Sequence, residues 1–238
     1  MKWKTSISHT KDEVHQVRGV PLTDLVAQQT FTEAIYFILT GKRATSSQAR
    51  MLDAVLVAML DHGVGVPTAF VPRTVASVGA GVIPALASGL LAIGEHHGGA
   101  IEAAMRVFGK AEDASIIVAQ AKAAKARLPG YGHKVYTDVD PRSAALFLLA
   151  KEQGVYGVFV QKAVEIEKEL NKHSLKKLPL NIDGSVAAIL CELGFSPVLG
   201  KAFFALGRRP GMMAQVQEEL QNEKPYRRFE NEEIEFLG

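Results

Sequence analysis

The chain lacks the features that mark several classes of protein. One cysteine, Cys191, is present among 238 residues, which excludes a disulfide framework and fits a reducing compartment. Lys and Arg exceed Asp and Glu by only 27 − 25 = 2, and no basic block stands out, which argues against nucleic acid as a partner. The N-terminus leads to no apolar run of the kind found in signal peptides. We therefore expect a cytoplasmic protein.

Metal-binding patterns are missing as well. The seven histidines include no His-Glu-x-x-His motif and no Cys/His ligand pairs. Adjacent His96 and His97 point in different directions on most backbones. His9, His15 and His173 have no supporting context, and we expect them to be exposed to solvent. The sequence therefore predicts no metal site.

One uncharged stretch, residues 74–94, is long enough to span a membrane. It is dominated by Ala, Gly, Ser and Val, with Pro84 in its middle. Small residues permit close contacts between helix backbones, so a helix pair in a soluble core is the better interpretation. We expect no membrane partner, and we predict that this stretch packs at a subunit interface.

Helical signals dominate the rest of the chain. Thr30 with Glu33, and Thr45 with Gln48, form capping boxes before apolar residues at helical spacing. Further helix candidates are residues 111–127, 142–153 and 158–170. No run alternates apolar and polar residues for long, so strands should be few. The sequence predicts an all-α protein, as one large domain or two unequal lobes.

A loop at residues 130–142 is the most informative segment. Gly130 and Gly132 let the backbone approach a ligand closely and adopt unusual angles around His133. Pro141 is tolerated in the first turn of a helix, so Arg142 would stand at the mouth of that helix. There its planar fork can grip a carboxylate at two points. On the loop alone, a site for a small anionic substrate and an ordinary surface loop are about equally supported.

A carboxylate precedes the helical apolar pattern of residues 186–193. Asp183 falls at or just before the start of that helix. It could be an N-cap, a role worth ~1 kcal/mol against alanine. It could also be a carboxylate kept ionised at the helix N-terminus and aimed into a cleft. The two roles do not exclude each other.

Five segments, in order, resemble the citrate synthase superfamily. They are Asp61-His62-Gly63, residues 94–100 around His97, the loop 130–142, Asn181-Ile182-Asp183-Gly184 and Gly207-Arg208. The resemblance implies an all-α homodimer whose subunit is a single unit over residues 1–238. Within it, a large helical domain carries a smaller lobe at roughly 100–210.

The resemblance implies a role for each matching residue. Asp183 is the base that acts beside a thioester, and His97 is the donor to the enolate oxygen. His133 bonds the oxaloacetate carbonyl and, in the cleavage direction, takes the hydroxyl proton. Arg142 and Arg208 clamp the substrate carboxylates.

Other positions match substrate-binding residues. His62 assists the carboxylate clamp, and Arg227 reaches it from the partner subunit. The segment against the coenzyme A adenine is Leu128, Pro129, Gly130, Tyr131 and Gly132. The coenzyme A thioester is then a substrate, and no tightly bound cofactor is expected.

Details within the superfamily point to one branch. Arg18-Gly19, residues 89–94 and the ending Tyr226-Arg227 look like the C-terminal citryl-CoA-cleaving domain of ATP-citrate lyase and its stand-alone relative, citryl-CoA lyase. The chain also starts almost at the match, whereas full-length citrate synthases carry a sizeable N-terminal region before it. We therefore expect cleavage of citryl-CoA to acetyl-CoA and oxaloacetate. The alternatives are a short citrate or 2-methylcitrate synthase, and a non-catalytic CoA-ester-binding subunit serving a separate citryl-CoA synthetase.

Overall fold

The computed structural model describes residues 2–172, 174 and 176–238. A small antiparallel sheet opens the chain, with strands β1 (Ser8–Lys11), β2 (Val14–Val17) and β3 (Val20–Pro21) in that order. Ser8 pairs with Val17 across the first two strands. His9 and His15 are exposed on this sheet, as predicted, and His173 lies outside the described residues.

Helices joined by loops and turns make up the remainder of the described structure, which confirms the all-α prediction with few strands. They are α1 (Leu22–Gln28), α2 (Phe31–Thr40), α3 (Ser46–Ala58), α4 (Pro67–Ser77), α5 (Val82–Leu91), α6 (Ala100–Phe108), α7 (Ala114–Ala123), α8 (Pro141–Glu152), α9 (Val158–Asn171), α10 (Ile182–Glu192) and α11 (Gly200–Asn222). Short 3-10 segments cover Pro197–Leu199 and Asn231–Glu233. The candidate helices at 111–127, 142–153 and 158–170 correspond to α7, α8 and α9.

Local signals set several helix boundaries. Both predicted capping boxes are present, with Thr30 at the start of α2 and Thr45 at the start of α3. Gly41 ends α2 in the left-handed conformation that glycine adopts without strain. α7 is shorter than its pattern predicts, and Lys125, just beyond its C-cap, has a left-handed φ of 50°.

Helix α10 forms the centre of the core. Its residues Gly184–Leu190 are all buried, because α3, α6, α8 and α9 pack around it. A helix that is covered on every side is apolar all round, which is the pattern the sequence shows here. The first turn of α10 is therefore held in place by the core. The division into a large and a small lobe stays a prediction.

The uncharged stretch folds into α4 and α5, which pack against each other and against α11. A Cβ added at Gly89 would come 2.6 Å from the Sδ of Met212, so the small residue is needed for this contact. The predicted helix pair is thus confirmed. No helix in the described part of the chain is long and apolar enough to cross a membrane. Val78, Ile83 and Leu91 leave an exposed apolar surface on this pair.

Two glycines of α11 bring it close to the segment that leads to His62. A Cβ at Gly207 would lie 2.9 Å from the Cβ of Met59. A Cβ at Gly211 would overlap the carbonyl oxygen of Leu60. The close approach sets the position of Arg208, which follows Gly207, relative to His62.

We predict that Gly211→Ala destabilises the protein by about 1–3 kcal/mol, because the backbone of residue 60 cannot move aside as a flexible side chain could. The measurement is the free energy of unfolding in urea. Gly65→Ala is the matched control, since a Cβ there meets nothing within 4 Å among the described residues. Equal stability of the two variants would show that α11 is not packed as described.

Candidate active site

The loop 130–132 is paired with the segment before α10. The Gly132 N–H donates to the Pro179 carbonyl (2.7 Å), and the Asn181 N–H donates to the Gly130 carbonyl (2.9 Å). Gly130 has a φ of +87°, and a Cβ there would come 2.7 Å from the Cα of Gly184. Gly130 is thus required by backbone packing against α10. This pairing places the residues after Gly132 beside the first turn of α10.

Asn181 is the N-cap of α10, which corrects the interpretation of Asp183 as the cap. The Asn181 side-chain oxygen accepts from the Gly184 N–H (3.2 Å), and its amide donates to the Gly132 carbonyl (2.8 Å). Asp183 lies two residues further on, in the first helical turn. Its carboxyl group is thereby free of a capping role.

Burial dominates the environment of Asp183. It raises the pKa of the Asp183 carboxyl above its ordinary value, and the positive charges of Arg142 and Arg208 only partly oppose this effect. A carboxylate with a raised pKa is a stronger base, and its acid form holds a proton at higher pH. The group is therefore suited to receive and return a proton.

Asp140 connects three parts of the site while its side chain is fully buried. Its carboxylate caps α8 by accepting from the Arg142 N–H (3.0 Å), and it accepts from the Ile182 N–H at the start of α10 (3.1 Å). It also accepts from Nε (3.0 Å) and Nη2 (2.8 Å) of the Arg142 side chain. Burial alone would raise the pKa of Asp140, but these hydrogen bonds outweigh it and hold the pKa below its ordinary value.

Arg142 stands at the start of α8, as its sequence position predicts. Asp140 occupies the edge of the guanidinium formed by Nε and Nη2, so that edge is not available to a ligand. The other edge has Nη1 3.2 Å from Nε2 of His62 and Nη2 3.2 Å from Nε2 of His133. Arg142 can thus grip a substrate carboxylate through Nη1 and Nη2.

Backbone contacts define the protonation of His133. Its Nδ1 accepts from the N–H groups of Val135 (3.0 Å) and Tyr136 (3.1 Å). In a neutral imidazole only one nitrogen carries hydrogen, so the hydrogen is assigned to Nε2. Nε2 then faces Arg142 as a donor. The ring is ready to donate to an oxygen, which favours the donor role over acceptance of the hydroxyl proton.

His62 lies between two arginines. Its Nε2 is near Arg142, and its Nδ1 is 2.9 Å from Nη2 of Arg208. Burial first, then the charges of Arg208 and Arg142, lower the pKa of His62 to about 4. The neutral ring can accept from only one arginine, so its own N–H faces the other. An anion placed here would accept from the N–H and from both guanidinium groups.

Arg208 is completely buried with part of its charge unmatched. Its Nε and Nη1 have no hydrogen-bond partner among the described residues. Its guanidinium carbon lies 5.0 Å from the centre of the Phe204 ring, and burial lowers the pKa of the group. The charges of Asp61 and Asp183 act on Arg208, but none of the ion pairs among the described residues includes it. A buried cation that lacks a direct ion pair is costly, so this position favours an anionic ligand.

His97 lies at the side of this cluster. Its Nε2 is 3.0 Å from Oγ1 of Thr68, and its ring packs edge-on against Phe204 at 5.3 Å. Burial, followed by the charge of Arg208, lowers the pKa of His97. Gly98, with a φ of +86°, turns the chain directly after it. Its neighbour His96 has no such contact among those described.

A pocket of about 350 Å³ unites four of the predicted residues, which are His62, His133, Arg142 and Asp183. Arg208 and His97 do not line this pocket. Arg208 is reached through its contact with His62, and His97 is close to Arg208 across Phe204. Six residues from five separate sequence segments are thus brought together. The described residues contain no group of three His, Cys, Asp or Glu side chains arranged to hold a metal ion.

A second pocket of about 690 Å³ shares His133 and Tyr136 with the first. Leu128, Tyr131 and Gly132 line it, whereas Pro129 and Gly130 do not. Five cationic residues also line it: Lys122, Arg127, Lys134, Lys176 and Lys177. No sequence pattern indicated these cations, because they come from separate segments and form no basic block.

Arg227 lies away from both pockets of its own chain. Its Nη2 is 2.6 Å from Oε2 of the buried Glu219, and its backbone N–H donates to Oγ of Ser77 (3.0 Å). Glu219 also accepts from Nε of Arg73 (2.8 Å). Arg227 therefore lies near the end of α4, on the side of the molecule that carries the apolar surface of α4 and α5.

We predict that His62 titrates with a midpoint near pH 4 in the folded protein, because burial and two arginines disfavour its charged form. Histidine-detected NMR across roughly pH 3–8, a range of about 5 units that includes both the shifted and the ordinary pKa, measures this midpoint. Arg208→Met should raise it. Arg106→Met, at an exposed arginine paired with Glu102, should leave it unchanged. A midpoint near 6.5 in the unaltered protein would contradict the described environment.

The fold and the sequence both have relatives among known proteins. The family model for the citrate synthase C-terminal domain matches residues 38–228. A solved structure of citryl-CoA lyase from Hydrogenobacter thermophilus is 41% identical with a TM-score of 0.96, and the match covers 99% of this chain and 94% of that one.

Two curated relatives are longer proteins. A probable ATP-citrate synthase of Dictyostelium discoideum is 26% identical over 92% of this chain and 38% of its own length. A glyoxysomal citrate synthase of Cucurbita maxima is 30% identical over 72% of this chain and 35% of its own length. This chain thus spans little more than a third of either. The expected superfamily of enzymes is confirmed, and the chain belongs to the citrate synthase family.

Proposed function

We propose that this protein cleaves citryl-CoA to acetyl-CoA and oxaloacetate. The observation that carries the proposal is the buried Arg208, joined to His62 and Arg142 beside Asp183, a partly buried carboxyl group with a raised pKa. Cations that need an anion lie next to a group that can move a proton. The similarity to a citryl-CoA lyase over nearly the whole of both chains favours this substrate.

The cationic side of the first pocket would bind the carboxylates of the oxaloacetate half. Arg142 offers its Nη1/Nη2 edge within the pocket, and Arg208 lies behind His62, where its charge would attract the carboxylate. The carboxylate would accept from the N–H of His62, which otherwise faces a cation. Binding a dicarboxylate would thus offset the electrostatic repulsion among Arg142, Arg208 and the N–H of His62.

His133 would hold the oxygen that changes during the reaction. This oxygen is a hydroxyl in citryl-CoA and a ketone in oxaloacetate. The Nε2–H of His133 can donate to it in both states, and most strongly when negative charge develops on it. As the carbon–carbon bond breaks, the hydroxyl proton would pass to a water molecule, and the bond electrons would pass to the carbon next to the thioester, which forms the enolate.

His97 and Asp183 would act on the acetyl half. A Thr68 hydroxyl that donates to Nε2 of His97 leaves the ring hydrogen on Nδ1, available to the enolate oxygen. The acid form of Asp183, favoured by burial, would deliver its proton to the enolate carbon and release acetyl-CoA. In the reverse direction, the ionised form would remove that proton.

The second pocket would hold coenzyme A. Its five cationic side chains suit the phosphate groups, and Leu128 and Tyr131 offer apolar surface to the adenine. Because His133 and Tyr136 line both pockets, a thioester arm could pass from one to the other. The coenzyme A ester is in this proposal a substrate and not a resident cofactor.

A homodimer would complete the site. The exposed apolar residues of α4 and α5 form a surface suited to a second copy, and Arg227 lies at its edge. Across a two-fold axis Arg227 could reach the partner's dicarboxylate pocket. A separate citryl-CoA synthetase would supply the substrate.

A short citrate or 2-methylcitrate synthase is the second candidate, because the same residues can run the reaction forward and because a citrate synthase is among the relatives. A non-catalytic CoA-ester-binding subunit is less well supported. Such a protein has no need for the raised pKa of Asp183 or the defined hydrogen on His133.

We predict that Asp183→Asn lowers turnover by about 10²–10⁴-fold, the usual contribution of a general acid–base group, with the fold retained. The amide keeps the shape of the carboxyl group and cannot transfer the proton. Circular dichroism checks the fold. Asp24→Asn, at an exposed residue in the first turn of α1, is the matched control and should keep full activity. Turnover of Asp183→Asn within a few-fold of the unaltered protein would remove Asp183 from the mechanism.

The direction of the reaction is tested by measuring kcat/KM for both directions on one preparation at one pH. We expect citryl-CoA cleavage to be faster, with citrate formation from acetyl-CoA and oxaloacetate present but slower. If citrate formation is faster by about tenfold, which is ~1.4 kcal/mol at the transition state, the protein is a citrate synthase. If neither reaction occurs, the non-catalytic alternative is favoured.

A further inference from the structure

We propose that Asp140 is a positioning residue that orients Arg142 toward the substrate carboxylate and fixes it relative to the helix turn that bears Asp183. The inference rests on the proposed function and deepens it, because it assigns a role to a residue that would not itself touch the substrate. It follows from the geometry of a single buried carboxylate that joins α8 to α10.

Asp140 holds the Arg142 guanidinium in one orientation. Asp140 binds Nε and Nη2 with two parallel hydrogen bonds of 3.0 and 2.8 Å. Such a bidentate pair fixes the plane of the guanidinium as well as its position. The remaining edge is thereby directed at His62 and His133, where the dicarboxylate would bind. Without Asp140, the flexible side chain of Arg142 could take other rotamers.

Asp140 also connects Arg142 to the first turn of α10. The oxygen of Asp140 that binds Nη2 of Arg142 also accepts from the Ile182 N–H, one residue before Asp183. One oxygen atom therefore links the clamp for the substrate carboxylate to the turn that carries the proposed acid–base group. The distance between these two functions is set through Asp140.

The burial of Asp140 also favours a positioning role. The side chain of Asp140 has no exposure to solvent, and its carboxylate accepts hydrogen bonds from the Arg142 side chain and from two backbone N–H groups. A capping role alone would need only the bond to the Arg142 N–H, and serine serves that role about as well as aspartate. The other three bonds are therefore the ones that distinguish positioning from capping.

The test compares Asp140→Asn and Asp140→Ser in the full-length protein. Both variants keep an oxygen that can cap α8, and neither can bind Nε and Nη2 of Arg142 while accepting from Ile182. Isothermal titration with oxaloacetate and, separately, with coenzyme A measures the two affinities. Asp113→Asn is the control, because Asp113 is an exposed residue at the N-cap position of α7 and its side chain makes no capping hydrogen bond there.

We expect both Asp140 variants to bind oxaloacetate about tenfold or more weakly, as loss of a charge-assisted bidentate pair predicts, and to bind coenzyme A within about twofold of the unaltered protein. KM for oxaloacetate in the condensation assay should rise in parallel. A merely structural role would weaken both ligands together. In an Arg142→Gln background, Asp140→Asn should have little further effect on oxaloacetate binding, because the guanidinium that Asp140 orients is already removed.

Several outcomes would overturn the inference. If the Ser variant binds oxaloacetate like the unaltered protein, Asp140 is only a cap. If both ligands are weakened equally, or if neither variant folds, its role is structural. Failure of the proposed dicarboxylate site looks different, because the unaltered protein would then bind no oxaloacetate at all; a citrate synthase would bind it and is distinguished by the two kcat/KM values.

Discussion

The close contact between the backbones of Gly130 and Gly184 is the constraint on which the site depends. Gly130 belongs to the loop that carries His133, and Gly184 belongs to the first turn of α10, next to Asp183. A side chain at either position would push these two segments apart, since a Cβ at Gly184 would also come 2.6 Å from the Gly130 carbonyl oxygen. Because α10 is buried on every side, the loop is held against a fixed support.

Hydrogen bonds then position the groups around this contact. Asn181 ties the cap of α10 to the loop, and Asp140 ties α8 to α10. The same bonds define chemical states. Two backbone N–H groups place the hydrogen of His133 on Nε2, and burial together with two arginines keeps His62 neutral. The surroundings that position these two side chains therefore also set their protonation.

The electrostatic arrangement of the site works against the stability of the fold. Arg208 is a buried cation whose Nε and Nη1 have no partner among the described residues, and Asp183 is a partly buried carboxyl group with a raised pKa. Burial of such groups costs free energy unless they are paired. An anionic substrate would add negative charge beside Arg208, so the arrangement favours a binding role.

Local patterns predicted much of the secondary structure. The capping boxes at Thr30 and Thr45 marked helix starts correctly, because these hydrogen bonds involve residues only three positions apart. The loop 130–142 and the start of α8 were also predicted, because glycine and proline restrict the backbone directly. Of the two roles that the sequence left open for Asp183, the N-cap role is wrong, because Asn181 caps α10. Aspartate and asparagine are both good caps, so the sequence alone could not choose between them.

The sequence by itself determined the fold class, the family and which residue types could carry the chemistry, because those depend on periodicity, turn residues and short motifs. Only the tertiary structure decided how those residues meet. It assigned one edge of Arg142 to Asp140 and left the other for a ligand, and it gathered Lys122, Lys134 and Lys177 from distant segments into one pocket. Such contacts join residues far apart in the chain, and their geometry depends on the packing of α8, α10 and α11, which no local pattern specifies.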